Sequence, residues 1–263
     1  MNIMQAIVYG IVQGIGEFLP ISSTAHLILV PWFFGWPDPG VAFDVALHLG
    51  TATAVILFFF KDWVKLINAG IRDPKSKDGV LFWLLVLATI PGGFFGVLLD
   101  KYMESFRNPV LIGAMLIIMG IILYYADITS DEKIKIEDIG LKRSLIVGIS
   151  QVFAIIPGVS RSGITMSVGR FLGIEREAIA KFTFLLSTPI IIGDALYHAT
   201  KMGTVSIDKT SFIVAVLTAA IVGFLSIKFL LNYLKTKGFG IFAIYRFVLG
   251  AVVIATYIIR LKM

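Results

Sequence analysis

Six stretches of this chain, 41–60, 80–99, 109–126, 178–200, 211–231 and 241–259, run close to span length with almost no charge. A helix of about 20 apolar residues crosses the hydrocarbon of a bilayer. In lipid each backbone group must be satisfied internally, so such runs have little choice but to be helices. The bulk composition agrees: 57% of residues are hydrophobic and 15% charged, with a mean hydropathy of +0.90, whereas soluble domains carry about 25% charged residues. The net charge of +6 then belongs to loops facing anionic lipid rather than to a nucleic-acid surface. With no cysteine in the chain, disulfides and thiolate metal sites are excluded. The start, Met1 to Gln5, has no basic n-region and reads as mature membrane structure rather than as a cleaved signal.

Against that background residues 13–26 stand out, with Glu17, Ser22, Ser23, Thr24 and His26 inside an apolar region. The apolar segment 3–16 is too short to span. Pro20 interrupts it, and the three hydroxyl residues can cap a second short helix running to about Trp32. Two broken half-helices describe a re-entrant hairpin. The pattern returns after a charged linker, 127–143: Gly148 to Gln151 echoes Gly10 to Gln13, and Ile156 to Gly163 echoes Leu19 to Ala25. A second hairpin is expected over 144–172.

The expected fold is an all-α polytopic membrane protein, with six transmembrane helices plus two re-entrant helical hairpins in an inverted-topology repeat. The chain, 1–263, forms one integral membrane domain, with repeat one at about 1–126 and repeat two at about 144–263. Three crossings per repeat is odd, which inverts the second copy. Such folds carry their sites at the repeat interface near the midplane. A further echo, between 82–91 and 182–189, shares a proline in an apolar helix but falls out of phase with the repeat. Lys61, Lys65, Arg72, Lys75 and Lys77 join the linker lysines and Arg143, Arg176, Lys181, Lys228, Lys235 and Lys237 on one side, which outnumbers the Lys101, Arg107, Lys201, Lys209, Arg260 and Lys262 side. The first side is therefore cytoplasmic and both termini extracytoplasmic.

A carboxylate at membrane depth is costly and functional by default. Gln13 and Glu17 share a helix face at i, i+4. A hydroxyl beside a carboxylate and an imidazole is the arrangement of an activated nucleophile. A helix N-terminus with free N–H groups also binds anions, although Ser22, Ser23 and Thr24 could equally be helix caps. Arg161, in Pro157-Gly-Val-Ser-Arg-Ser-Gly163, suits phosphate through its planar fork, or a salt bridge to Glu17 across the hairpin tips. Arg170 reads as interfacial. Asp44 with His48, and Asp194 with His198, are i, i+4 pairs with a weak metal signal. Gly113 and Gly120 read as helix packing, and Tyr124 and Tyr125 as interfacial aromatics.

At these residues the chain resembles the undecaprenyl-pyrophosphate phosphatase family, the bacitracin-resistance type of integral membrane phosphatase. The carriers are Gln13-Gly-Ile-Gly-Glu17 followed by Phe18 to His26, the intact Pro157–Gly163 element, and Phe43 to Thr51. The resemblance implies hydrolysis of undecaprenyl pyrophosphate to the monophosphate, recycling the lipid carrier of envelope polymers, in the bacterial plasma membrane with the site open to the extracytoplasmic side. It implies a catalytic set of Glu17, Ser23, Arg161 and His26, with substrate bound by Gln13, Ser22, Thr24, Gly158, Ser160 and Ser162. It also implies a divalent cation, Mg²⁺ or Ca²⁺, with Glu17 as its ligand; Gln13 stands where the family also uses a second glutamate. The expected partner is a polyprenyl pyrophosphate lipid, and a homodimer is left open. The competing expectation is an inverted-repeat transporter or lipid flippase, since broken helices are common in transporters.

Overall fold

The computed structural model describes residues 1–199 and 208–262, apart from the side chains at 41, 42, 45, 46, 198 and 199. Thr200 and Lys201, counted above in a span and a loop, lie outside the described residues, as does the side chain of His198. Eleven α-helices follow one another: α1 Ile3–Phe18, α2 Ser23–Phe34, α3 Val41–Phe58, α4 Phe60–Arg72, α5 Lys77–Leu99, α6 Pro109–Thr129, α7 Gly140–Ser150, α8 Arg161–Phe171, α9 Arg176–Ala199, α10 Lys209–Leu234 and α11 Gly240–Lys262.

Local chemistry sets the ends. Asn2 and Gln5 form a capping box that starts α1, and Pro20 follows its last turn. Asn108 caps α6, with Pro109 in the first turn, where its missing N–H costs nothing. Gly35, at φ 66°, closes α2. A 3₁₀ turn, Gln151–Ile155, ends α7 ahead of Pro157.

Five helices among the described residues are long and apolar enough to cross a membrane: Lys77–Tyr102, Pro109–Thr129, Arg176–Tyr197, Lys209–Leu234 and Gly240–Lys262. This is an all-helical, polytopic architecture. The expected run 41–60 ends earlier than its bounds. It ends as the 18-residue α3 at Phe58, with Asp44 and His48 in its first half. The chain then turns at Phe59 into α4, which sequence reading left as loop. Leu66 and Gly70 of α4 are buried, with Gly70 under the Phe82 ring and the Trp83 indole N–H donating to the Gly70 carbonyl at 3.1 Å.

Large apolar side chains both fill the interior, with Phe18, Phe59, Phe182 and Phe184 buried, and cover the outside. Trp83, Phe94, Leu217, Phe229 and Ile244 are exposed on the outer surface, where lipid is their solvent. Inside, α6 lies on α11 with Gly113 against the Gly250 carbonyl and Gly120 against that of Ala243. These two glycines are packing residues, as expected. Helix α1 packs on α10, and α7 on α5.

Arg170, read as interfacial, is packed inside the protein at the helix ends beside the charged linker. Its side chain is fully buried, donating to the carbonyls of Ile174 (2.8 Å) and Asp127 (3.2 Å) and pairing with Asp127 and Glu132. Asp127 also takes Arg176 at 2.7 Å and the Phe239 N–H at 2.8 Å. This network joins the ends of α6 and α8 to the starts of α9 and α11. A buried arginine is tolerated here because nearly every donor has a partner.

Candidate active site

The first residues of α2 and α8 face each other across one carboxylate. Both helices begin on a serine in the left-handed region, Ser22 at φ 77° and Ser160 at φ 71°, a conformation non-glycine residues adopt only under local constraint. Each serine caps its own helix: Ser22 Oγ accepts from the Ala25 N–H (3.3 Å) and Ser160 Oγ from the Gly163 N–H (3.1 Å). The residue after each cap, Ser23 in one and Arg161 in the other, opens the helix and reaches Glu17. Ser23 Oγ donates to Glu17 Oε2 at 2.9 Å, and Arg161 donates to Glu17 Oε1. Gly16 makes the close approach possible, since a Cβ there would lie 2.6 Å from Ser23 Cα.

Two more groups complete the surroundings of Glu17. Gln13 Nε2 donates to Oε2 at 3.2 Å and lies 3.4 Å from Thr51 Oγ1. His48 brings Nε2 to 3.3 Å from Oε2, while its Nδ1 donates to the Asp44 carbonyl at 2.8 Å. The imidazole beside Glu17 is therefore His48. His26, expected in the catalytic set, is not brought there. Its Nδ1 donates to the Ser22 carbonyl (2.7 Å), its Nε2 accepts from Tyr245 Oη (2.6 Å), and its ring stacks on that tyrosine. It does not line the cavity and instead ties the start of α2 to α11.

A cavity of about 330 Å³ opens at these groups. Glu17, Ser22, Ser23, Thr24, His48, Ser160 and Arg161 form its polar end, and Asp44, Asp100, Arg107 and Asp194 line its mouth. Gln13, Gly158 and Ser162, expected to touch substrate, sit behind this surface. Gln13 is fully buried beneath Glu17. Ser162 Oγ donates to the Leu19 carbonyl at 3.1 Å. Gly158, at φ 98°, donates its N–H to Ser22 Oγ at 3.2 Å. These contacts stitch one tip to the other.

The strongest stitch is a residue that sequence reading missed. Arg246 of α11 is fully buried. Its guanidinium donates to the Pro20 carbonyl (3.0 Å) on one tip, and to the Gly158 and Val159 (3.0 Å) carbonyls on the other. Among the described residues no carboxylate pairs with it. The one available signal was an arginine seven residues into an apolar span, which is a functional flag in itself. At the mouth, Arg107 grips Asp38 with both carboxylate oxygens and Asp44 at 2.8 Å. Its burial, which opposes charge, is outweighed by these two carboxylates, which raise its pKa and keep it cationic.

The donor set fits a hard divalent cation only in part. Among the described residues no three His, Cys, Asp or Glu side chains gather as a protein cage. However, Gln13 Oε1 is buried without a hydrogen-bond partner, next to the Glu17 carboxylate. Mg²⁺ commonly binds through one or two carboxylates with phosphate oxygens supplying the rest. Glu17 suits that mode as a carboxylate that faces the cavity, with Gln13 behind it orienting that carboxylate.

Comparison with known proteins bears on the same residues. The family model described as bacitracin resistance protein BacA matches residues 6–252. An undecaprenyl-diphosphatase of Moorella thermoacetica is 52% identical over 99% of this chain and 100% of its own. That of Pelotomaculum thermopropionicum is 52% identical over 97% and 96%, and that of Caldicellulosiruptor bescii 49% identical over 99% of each. With its matched region holding Glu17, Ser23 and Arg161, the chain belongs to the bacitracin resistance protein BacA family.

Proposed function

We propose that this protein hydrolyses undecaprenyl diphosphate to undecaprenyl phosphate and inorganic phosphate at the Glu17–Ser23–Arg161 cluster. The observation that carries it is the convergence of a hydroxyl, a carboxylate and a guanidinium at two opposed helix N-termini, in a chain about half identical to named undecaprenyl-diphosphatases. Two helix starts and an arginine suit the equatorial oxygens of a transferring phosphoryl group.

The chemistry follows from the contacts. Ser23 Oγ attacks the terminal phosphorus and gives its proton to Glu17 Oε2, its present acceptor. The bond from that phosphorus to the bridging oxygen breaks, and undecaprenyl phosphate leaves. Water then attacks the phosphoserine, releasing inorganic phosphate and returning Ser23. Arg161 holds Glu17 in the empty site and turns its fork to phosphate when substrate is bound. His48, aligned by its bond to the Asp44 carbonyl, steadies the Glu17 carboxylate. A divalent cation held by Glu17, which Gln13 orients from behind, would supply further neutralisation of phosphate charge. All these groups come from one chain, so the site needs no second copy.

For the membrane arrangement, we read six spans with α3 as the sixth, and α1–α2 and α7–α8 as re-entrant hairpins. The repeats are about 1–126 and 144–263, joined by the 127–143 linker, in inverted topology. The swap of neighbours supports this: α1 packs on α10 as α7 packs on α5, α3 on α10 as α9 on α5, and α6 pairs with α11. By the charge bias of the loops both termini are extracytoplasmic, and the mouth at Arg107 opens on that side, in a bacterial-type plasma membrane.

The test is trapping. Rapid quench of purified protein with ³²P-labelled substrate is expected to yield label on Ser23. Inversion of configuration at a chiral terminal phosphorus, with no label trapped, would instead assign the attack to water. A transporter or flippase would release no phosphate at all.

A further inference from the structure

The proline echo between 82–91 and 182–189 meets across the cavity. Helix α5 contains Pro91 and α9 contains Pro189, and each is followed by glycine on the cavity side: Gly92, Gly93 and Gly96 in one, Gly193 in the other. The helices touch at Gly92, where a Cβ would lie 3.1 Å from Ile190 Cδ1. Beyond that contact they leave room, since a Cβ on Gly93, Gly96 or Gly193 would meet no atom within 4 Å. Beside Gly92, Gln151 lines the same cavity, is 6% exposed, and has a buried Oε1 without a hydrogen-bond partner. A buried acceptor left open is rare in native structures and points to something that fills it.

We propose that the gap between α5 and α9 is the seat of the first isoprene units of the substrate, with Gly93, Gly96 and Gly193 keeping it open and Gln151 marking its polar end. The inference rests on the phosphatase reading for its ligand, a polyprenyl diphosphate. Its physical basis is continuity: one cavity joins the gap to Glu17, Ser23 and Arg161. A diphosphate at the helix tips must lead its apolar chain out to lipid, and Gly93, Gly96 and Gly193 put no side chain into this part of the wall. The outer faces of both helices beside the gap are apolar and exposed, with Phe94, Val97 and Leu196 pointing outward. A chain leaving the gap on that side meets apolar surface, while Asp100 and Asp194 line the same cavity beyond the glycines.

The experiment uses full-length protein in detergent with Gly96→Leu and Gly193→Leu, each checked for folding by size exclusion and melting. Both substitutions fall on helical positions with free space, so the variants fold. Undecaprenyl diphosphate turnover, as kcat/KM, is expected to fall at least tenfold in each, while hydrolysis of methyl diphosphate, which has no isoprene unit to seat, stays within twofold of wild type. Equal losses on both substrates, or none on the long one, overturn the proposal. A second arm reads the seat without catalysis. A farnesyl diphosphate analogue with a diazirine on its first isoprene unit is expected to label peptides covering 92–97 and 189–197. Labelling confined to the outer depression at Leu225 and Phe229 of α10 overturns it as well. If wild type releases phosphate from neither substrate but the diazirine maps to the gap, the phosphatase reading fails and the seat stands.

Discussion

Replacing Arg246 by Met separates the geometry of the site from its chemistry, because Arg246 touches neither the cavity nor Glu17. Methionine keeps the length and apolar stem of the side chain and removes every donor. Three carbonyls, of Pro20, Gly158 and Val159, lose their partner. A hydrogen bond to a charged group contributes about 1.5–3 kcal/mol, and a buried group left unsatisfied costs about 1–3 kcal/mol. The opposing effect is relief of a buried guanidinium without a carboxylate partner, whose desolvation costs several kcal/mol. The two largely cancel, so melting is expected to shift only slightly. The geometry does not cancel. Without the staple, the tips carrying Ser23 and Arg161 are free to separate, and misplacement by about 1 Å costs on the order of 100-fold in rate, equivalent to about 2.7 kcal/mol in the barrier. The assay is kcat for phosphate release from undecaprenyl diphosphate by protein that passes size exclusion. Arg246→Lys, with one point donor in place of a fork, is expected to fall between wild type and Met. A methionine variant that folds and turns over within threefold of wild type would refute the reasoning.

Three further outcomes follow from the contacts. Gly16→Ala puts a Cβ 2.6 Å from Ser23 Cα; kcat is expected to drop at least about tenfold, measured beside an unchanged helical circular dichroism spectrum. Asp127→Ala strips partners from Arg170, Arg176 and the Phe239 N–H and is expected to lower stability by about 3–5 kcal/mol, read as melting temperature, while the surviving folded fraction keeps wild-type kcat. Chelation is expected to abolish phosphate release and Mg²⁺ or Ca²⁺ to restore it, and Gln13→Leu to raise the half-saturating cation concentration about tenfold, read by titrating cation into chelated protein.

The residues that the sequence made visible were those whose local pattern already carries their physics. Pro20 and Pro157, each ahead of a hydroxyl cap, specify a broken helix wherever they fall, and the structure breaks both there. Glu17 and Arg161 are expensive in lipid, so each advertised a partner, and each is the other's. What stayed hidden depends on which element lies beside which. The i, i+4 spacing of Asp44 and His48 was legible, yet only the packing of α3 beside α1 puts His48, rather than the nearer-in-sequence His26, on Glu17. His26 was claimed by Tyr245, 219 residues away. Arg246 looked like one charge in an apolar helix because its three acceptors are backbone carbonyls, which leave no mark on sequence. Helix α4 was lost in the same way: its register against Phe82 and Trp83 is tertiary, whereas its charges read as loop. The proline echo was visible but unexplained until α5 and α9 were seen to face each other.

The central claim is that Glu17, Ser23 and Arg161 form one phosphatase centre, and the most direct measurement is phosphate release from undecaprenyl diphosphate by wild type, Ser23→Ala, Glu17→Gln and Arg161→Lys, each purified and folded. The account predicts release by wild type and a loss of at least about 100-fold in each variant, including the charge-conserving lysine, because a point charge cannot reproduce the guanidinium fork on phosphate. Near-wild-type turnover in Arg161→Lys together with Ser23→Ala, or no phosphate released by wild type, would contradict it.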